Sequence, residues 1–330
     1  MRAGRVSLAR MTAHMRVLRI AAVAAVACVT LVACRDRRSD PKPVATSEVP
    51  AGRILFSQAN GEHRDIYAIR PDGSGLRRLT TSNGEAVSPD PSPDGRKFVY
   101  EDDEATRAVI VVSDADGTHR RVLTPSGFQG QPAWSPDGRW IVFERDSAPG
   151  DNGVWLMRSD GSDLRRLTRN PFAGAECGCD SDPAFSPDGT RISFVRVRAE
   201  SRGLGALFVI DRDGRNPRRL TTWRLDPGIK HAWSPDGARI LISDNAHPEA
   251  DESSNVYVLR PEGGGLHALT HFNGGQPNAL AGSWSPDGRR IVLKTDESGD
   301  FQIYLTDANG GKRRRITNNL TEPSGIVWAR

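Results

Sequence analysis

None of the compact catalytic signatures is present in these 330 residues. There is no Gly-x-Ser-x-Gly elbow, no His-Glu-x-x-His pair, no phosphate-binding loop and no dinucleotide-binding glycine pattern. The turn at Gly310-Gly311-Lys312 lacks the spacing and the Ser or Thr of a phosphate loop. Hydrolase, metalloprotease and nucleotidase readings therefore have no local motif behind them, and no catalytic residue is assigned. A surplus of charge is missing as well. The formal charge of +4 arises in residues 1–33, where Arg2, Arg5, Arg10, Arg16 and Arg19 stand without an acidic residue. Beyond them 40 basic side chains face 41 acidic ones, so no nucleic-acid partner is expected. Long apolar runs are lacking too. The run from Ile20 to Ala33 is shorter than the roughly 20 residues a spanning helix needs.

That short run has the layout of an address. Arg16 and Arg19 precede it, and small residues lead to Cys34. Leu31-Val32-Ala33-Cys34 resembles the lipobox of bacterial lipoproteins, which implies diacylation of Cys34 after removal of residues 1–33. Met15 is an alternative start that shortens the leader. Residues 34–49 are polar and proline-containing without hydrophobic periodicity, and read as a disordered tether. At roughly 3 Å per residue the tether reaches about 50 Å.

The remainder is repetitive. Ser-Pro-Asp-Gly begins at Ser92, Ser135, Ser186, Ser234 and Ser285, preceded by Pro91, Trp134, Phe185, Trp233 and Trp284. Short β-type runs follow each copy, then an Asp-Gly-like turn, then a strand ending in Leu-Thr or Ile-Thr. Those endings fall at Thr80, Thr124, Thr168, Thr221, Thr270 and Thr317. Asp-Gly and Asn-Gly tolerate the positive φ of tight hairpins. Four short antiparallel strands per repeat make a propeller blade. There are six endings but five Ser-Pro-Asp-Gly copies. Trp328 matches the aromatic before the motif, and Ile54-Leu55-Phe56 matches the strand after it. The expected fold is therefore an all-β, six-bladed β-propeller over residues 50–330, closed by the C-terminal strand joining the N-terminal blade.

These repeats resemble the WD40-like propeller repeat of the TolB family, which also occurs in propellers accompanying prolyl-oligopeptidase-type peptidases. The resemblance covers residues 50–330. The tether leaves no room for the N-terminal α/β domain of that family or for the peptidases' hydrolase domain. The expectation is a lipid-anchored cell-envelope module, non-enzymatic, that binds an envelope protein or peptide and touches the membrane through the lipid on Cys34. The alternative is a propeller-type enzyme or ligand-binding protein acting on a glycan or peptide at the channel mouth.

Strand reversal sorts the loops. The Ser-Pro-Asp-Gly and Asp-Gly turns share one face and are uniform. The other face carries long, dissimilar loops, and binding is expected there. Candidate residues at the channel mouth are Glu85, Gln131, Asp182, Asp226 and His231. His231 stands where other repeats have Pro89, Pro132 or Pro183. Cys177 and Cys179 read as a soft-metal pair, a strained disulfide or a plain loop. Asp244, His247, Glu249, Asp251 and Glu252 read as a solvated acidic loop or a weak cation site. No metal or cofactor is assigned. The repeated arginines before the Leu-Thr endings, such as Arg77, Arg165 and Arg218, are expected to guard the open outer edges.

Overall fold

The computed structural model describes residues 52–104, 106–146, 151–171, 179–198, 205–228, 230–244, 253–275 and 277–329. The leader, Cys34, the tether, Cys177, His247, Glu249, Asp251 and Glu252 lie outside the described residues. Every described strand falls within the compact unit Val49–Arg330.

In chain order the strands are β1 (Arg53–Asn60), β2 (His63–Ile69), β3 (Arg77–Arg78), β4 (Glu85–Pro91), β5 (Lys97–Glu104), β6 (Arg107–Asp114) and β7 (Arg121–Val122). Next come β8 (Gln129–Trp134), β9 (Trp140–Arg145), β10 (Gly153–Arg158) and β11 (Arg165–Arg166), then β12 (Asp180–Phe185), β13 (Arg191–Val197), β14 (Gly205–Asp211) and β15 (Arg218–Arg219). The last are β16 (Ala232–Trp233), β17 (Ile240–Asp244), β18 (Asn255–Leu259), β19 (His267–Ala268), β20 (Ala279–Trp284), β21 (Arg290–Thr295), β22 (Gln302–Asp307), β23 (Arg314–Arg315) and β24 (Ser324–Ala329).

Four sheets hold four strands each, and one holds eight. The eight-stranded sheet consists of β24-β1-β2-β3 and β4-β5-β6-β7, joined by a single parallel residue pair, Arg64↔Glu85. The sheets therefore number five where the sequence leads one to expect six. The innermost strands touch in the cyclic order β4, β8, β12, β16, β20, β24 and back to β4. β24 lies antiparallel to β1, with Ile54↔Trp328 and Leu55↔Val327, so the two ends of the unit share one sheet. The architecture is an all-β propeller.

The second and third strands of the repeats are rich in apolar residues because both their faces are covered. Ile141, Val142 and Phe143 on β9 have no exposed surface. Val142 packs with Ile192 and Phe194 of the following sheet, while Ile141 and Phe143 pack with Val99 and Ile110 of the preceding one. The core thus lies between sheets, and each buried aromatic contributes about 2–3 kcal/mol.

Repeated polar devices set the turns. Ser92 Oγ donates to Asp94 Oδ1 at 2.6 Å and accepts from the Lys97 amide at 2.9 Å. Asp94 Oδ1 also accepts from the Arg96 amide at 3.1 Å. The Ser92 hydroxyl leads the interactions that hold the Asp94 carboxyl below its ordinary range. The same Ser–Asp bond recurs at Ser135, Ser186, Ser234 and Ser285. The terminal threonines extend the ladder with a side chain: Thr80 Oγ1 accepts from the Ile66 amide at 2.9 Å and Thr124 Oγ1 from the Ile110 amide at 2.8 Å. The other four repeats do the same.

The outer-strand arginines have a role beyond guarding edges. Arg77 donates to the Asp116 carbonyl at 2.9 Å and Arg121 to the Asp160 carbonyl at 3.0 Å. Arg218 donates to the Glu262 carbonyl at 2.5 Å and Arg314 to the Pro71 carbonyl at 2.8 Å. Each guanidinium fastens one repeat to the Asp-Gly-type turn of the next.

Candidate functional site

The inner strands are bulged where the candidate residues sit. The pairing shifts between Val87 and Asp90, between Gly130 and Ala133, and between Ser181 and Ala184. Inside these bulges Ser88, Gln131 and Asp182 take φ values of 52°, 51° and 52°. A left-handed non-glycine residue costs about 1–2 kcal/mol, yet the same position carries it in three repeats. Bulges re-aim side chains, and each of these residues is followed by proline.

Buried side-chain atoms without a hydrogen bond concentrate along this inner ring: Glu85 Oε2, Gln131 Oε1, Asp182 Oδ2 and His231 Nδ1 are among them. Burial raises the Glu85 carboxyl above its ordinary range, opposed by Arg64, whose Nε lies 3.7 Å from Glu85 Oε2. Arg64 is itself buried and reaches Glu322 Oε2 at 3.3 Å and Ser324 Oγ at 3.4 Å. Gln131 donates its backbone amide to Glu101 Oε2 at 3.1 Å.

The structure brings Asp182 and His231 together. Asp182 Oδ2 lies 3.3 Å from His231 Nδ1, and His231 Nε2 lies 2.7 Å from Ser193 Oγ. This has the residue order of a nucleophilic triad but not its access. Ser193 has no exposed surface, and its Oγ also accepts from Trp233 Nε1 at 2.8 Å. The chain acts as a strut from the inner ring into the next sheet. Asp226 is not part of the group. It sits against Gly205 at the head of β14, where an added Cβ would lie 3.1 Å from Asp226 Oδ1.

Two further groups bear on the axis. Asp90 on β4 accepts from the Trp134 amide at 2.8 Å; burial pushes its carboxyl up to about 6, and Lys230 opposes that rise. Lys230 precedes β16, three places round the ring from β4, so the two charges interact across the axis. Asp90 nevertheless keeps part of its surface exposed, as a side chain does when protein surrounds it on all sides but not overhead. Lys294 on β21 is pushed down to about 8 by burial and by the nearby Arg64 charge. Its Nζ donates to the Pro323 carbonyl at 2.9 Å.

Residue patterns flagged Glu85, Gln131, Asp182 and His231 but not Arg64, Asp90, Glu101, Lys230 or Lys294. Arg64, Asp90, Glu101 and Lys294 are charges within strands and Lys230 precedes one, and the local pattern does not set them apart. Among the described residues no group of three or more His, Cys, Asp and Glu is placed to hold a metal ion. No helix among them is long and apolar enough to cross a membrane. A rim groove of about 560 Å³, lined by Leu269, Phe272, Glu297 and Arg313, lies apart from the inner ring. Within it Arg313 lies 3.3 Å from Glu297.

Comparison with known proteins agrees with this geometry. The family model described as the TolB β-propeller domain matches residues 49–175. A protein TolB homolog of Chlorobium luteolum is 30% identical over 276 residues, covering 84% of this chain and 59% of the relative. The Tol-Pal system protein TolB of Anaeromyxobacter dehalogenans is 31% identical over 180 residues, 53% of this chain and 37% of its own length. The chain thus spans less than two thirds of these curated relatives. The crystal structure of TolB from Acinetobacter baumannii superposes with a TM-score of 0.67 at 23% identity, covering 85% of this chain and 68% of that one. The chain is a TolB-like β-propeller.

Proposed function

We propose that this is a six-bladed, cell-envelope propeller, lipid-anchored through Cys34 by the tether 34–49, whose inner ring binds an envelope protein or peptide. The blade count takes the eight-stranded sheet as two blades sharing the Arg64↔Glu85 pair, in keeping with the cyclic order of the inner strands. The observation that carries the binding role is the placement of Glu85, Gln131, Asp182 and His231 on or beside four consecutive inner strands, with Gln131 Oε1 buried and without a partner. Buried polar atoms are costly unless something satisfies them, and extended peptide backbone carries both donors and acceptors. A relative named as a Tol-Pal system protein supports an envelope setting. The enzyme reading has the Asp182–His231–Ser193 chain in its favour, but buried Ser193 cannot meet a substrate.

Crosslinking in intact cells tests the binding role, comparing native protein with a Gln131→Ala/Asp182→Asn variant of unchanged thermal stability. Capture of an envelope protein by the native form and its loss in the variant is expected. Capture of the same proteins by both overturns the inner-ring site. The anchor is tested separately, by incorporation of labelled palmitate and its abolition in Cys34→Ser.

A further inference from the structure

The near-neutral sum of charges conceals a strong separation. The turn-face segments comprise the start of β1, the five Ser-Pro-Asp-Gly turns, and the six Asp-Gly-type turns with their short outer strands. They hold 25 Lys and Arg against 14 Asp and Glu. The remaining described residues, which include the long-loop side, hold 9 against 19. One set of segments is therefore basic by 11 charges and the other acidic by 10.

Some of the basic groups are spent on the repeat-to-repeat bonds described above. Others are not. Arg96, Arg139 and Arg289 sit at the tips of Ser-Pro-Asp-Gly turns, are exposed, and make no ion pair within 4.0 Å. Arg53, also exposed, opens β1. Because β1 follows the same path as the strands that leave the Ser-Pro-Asp-Gly turns, the chain enters the propeller on this basic face. The three exposed large apolar side chains among the described residues, Leu76, Leu164 and Leu266, lie in the same turn segments. They recur at one repeat position, three residues before the terminal Leu of alternate repeats.

We propose that the turn face docks on an anionic phospholipid surface, its tip arginines on the headgroup phosphates and its three leucines at the interface. Charge complementarity selects this occupant, and Arg53 places the chain's entry into the propeller on the same face. Docked so, the propeller presents its acidic side and long loops away from the bilayer. The inference shares with the proposed function only the envelope setting, and it needs no lipid on Cys34.

Sedimentation of residues 49–330 with lipid vesicles tests it; this unit contains every described strand and the whole described core. Binding to phosphatidylglycerol-containing vesicles is expected, weakening as salt rises, with little binding to pure phosphatidylcholine. Each basic residue near an anionic surface is worth about fivefold, so Arg96→Gln/Arg139→Gln/Arg289→Gln is expected to lose about two orders of magnitude. Asp182→Asn, which disturbs the inner ring, is expected to bind vesicles as native protein does. Equal affinity for both vesicle types, native-like binding by the triple variant, or tighter binding to duplex DNA than to anionic vesicles overturns the proposal. Failure of partner capture leaves these readouts untouched.

Discussion

Replacing the glycine of the Asp-Gly-type turn separates two costs that usually arrive together. Gly117 and Gly263 occupy the same turn in different blades, with φ of +91° and +88°. An alanine at either pays about 1 kcal/mol or somewhat more for the left-handed backbone. Their surroundings differ. A Cβ on Gly117 would lie 2.0 Å from the Leu79 carbonyl oxygen and 2.9 Å from its carbon, backbone atoms of the preceding blade. A Cβ on Gly263 would meet the Leu220 oxygen at 3.7 Å, ordinary contact. Relief at Gly117 requires the two blades to part, for about 1–3 kcal/mol more. Gly117→Ala is thus expected to cost about 2–4 kcal/mol and Gly263→Ala about 1 kcal/mol. At about 2 °C per kcal/mol for a domain of this size, the melting temperatures fall by about 4–8 °C and about 2 °C. Thermal and urea unfolding of the two variants measure this. Equal losses would show that the glycine serves the turn alone and that the blade joint yields freely.

Thr124→Val removes the acceptor of the buried Ile110 amide and is expected to cost about 1–3 kcal/mol in urea unfolding, with Thr124→Ser restoring most of it. Asp90 titrates near 6 when folded against an ordinary 3.8, so its burial penalty is fully present above 6 and fades as pH falls toward 4. Asp90→Asn should therefore stabilise at pH 7 by up to about 3 kcal/mol, less what partial solvation of the carboxylate returns, and match native protein near pH 4 in denaturant titrations. Lys294, near 8 against an ordinary 10.5, carries the opposite dependence: its penalty is complete below 8 and vanishes as pH rises toward 10.5. Lys294→Met is expected to gain about 1–3 kcal/mol at pH 7, offset in part by the lost bond to the Pro323 carbonyl, with the gain shrinking at pH 10.

What could be read from the residues was local. Ser-Pro-Asp-Gly and the terminal Thr are devices whose partners lie within five and fourteen positions, and their spacing carries the repeat. Closure by Trp328 against Ile54 was legible because both ends match fragments of one unit. His231 stood out as a departure at a repeat position and Asp182 as a channel-mouth candidate, and they do meet. Ser193 gave no such sign, since a serine inside an apolar strand looks like any other. The arginine bonds were invisible for a different reason: the acceptor is a backbone carbonyl 39 residues away for Arg77, and carbonyls leave no mark on composition. The sheet count differed because one parallel pair, Arg64↔Glu85, joins β24-β1-β2-β3 and β4-β5-β6-β7 into one sheet, and a single such contact has no pattern.

The charge separation follows from how the blades are joined. A blade needs a donor at its outer strand to hold the carbonyl of the next turn, and arginine reaches that carbonyl from a solvent-exposed site without burying its charge. Repeating the joint loads cations onto the turn segments. The carboxylates of the same turns do not cancel them, since the turn segments hold 14 Asp and Glu against 25 Lys and Arg. The inner ring and long loops carry the compensating acids, including Glu85, Glu101 and Asp182. A polarised disk is therefore the expected consequence of this repeat, whether or not anything binds to it. Arg96, Arg139 and Arg289 fall outside that logic, since none of them ties one blade to another, and they are the residues on which a membrane role must stand.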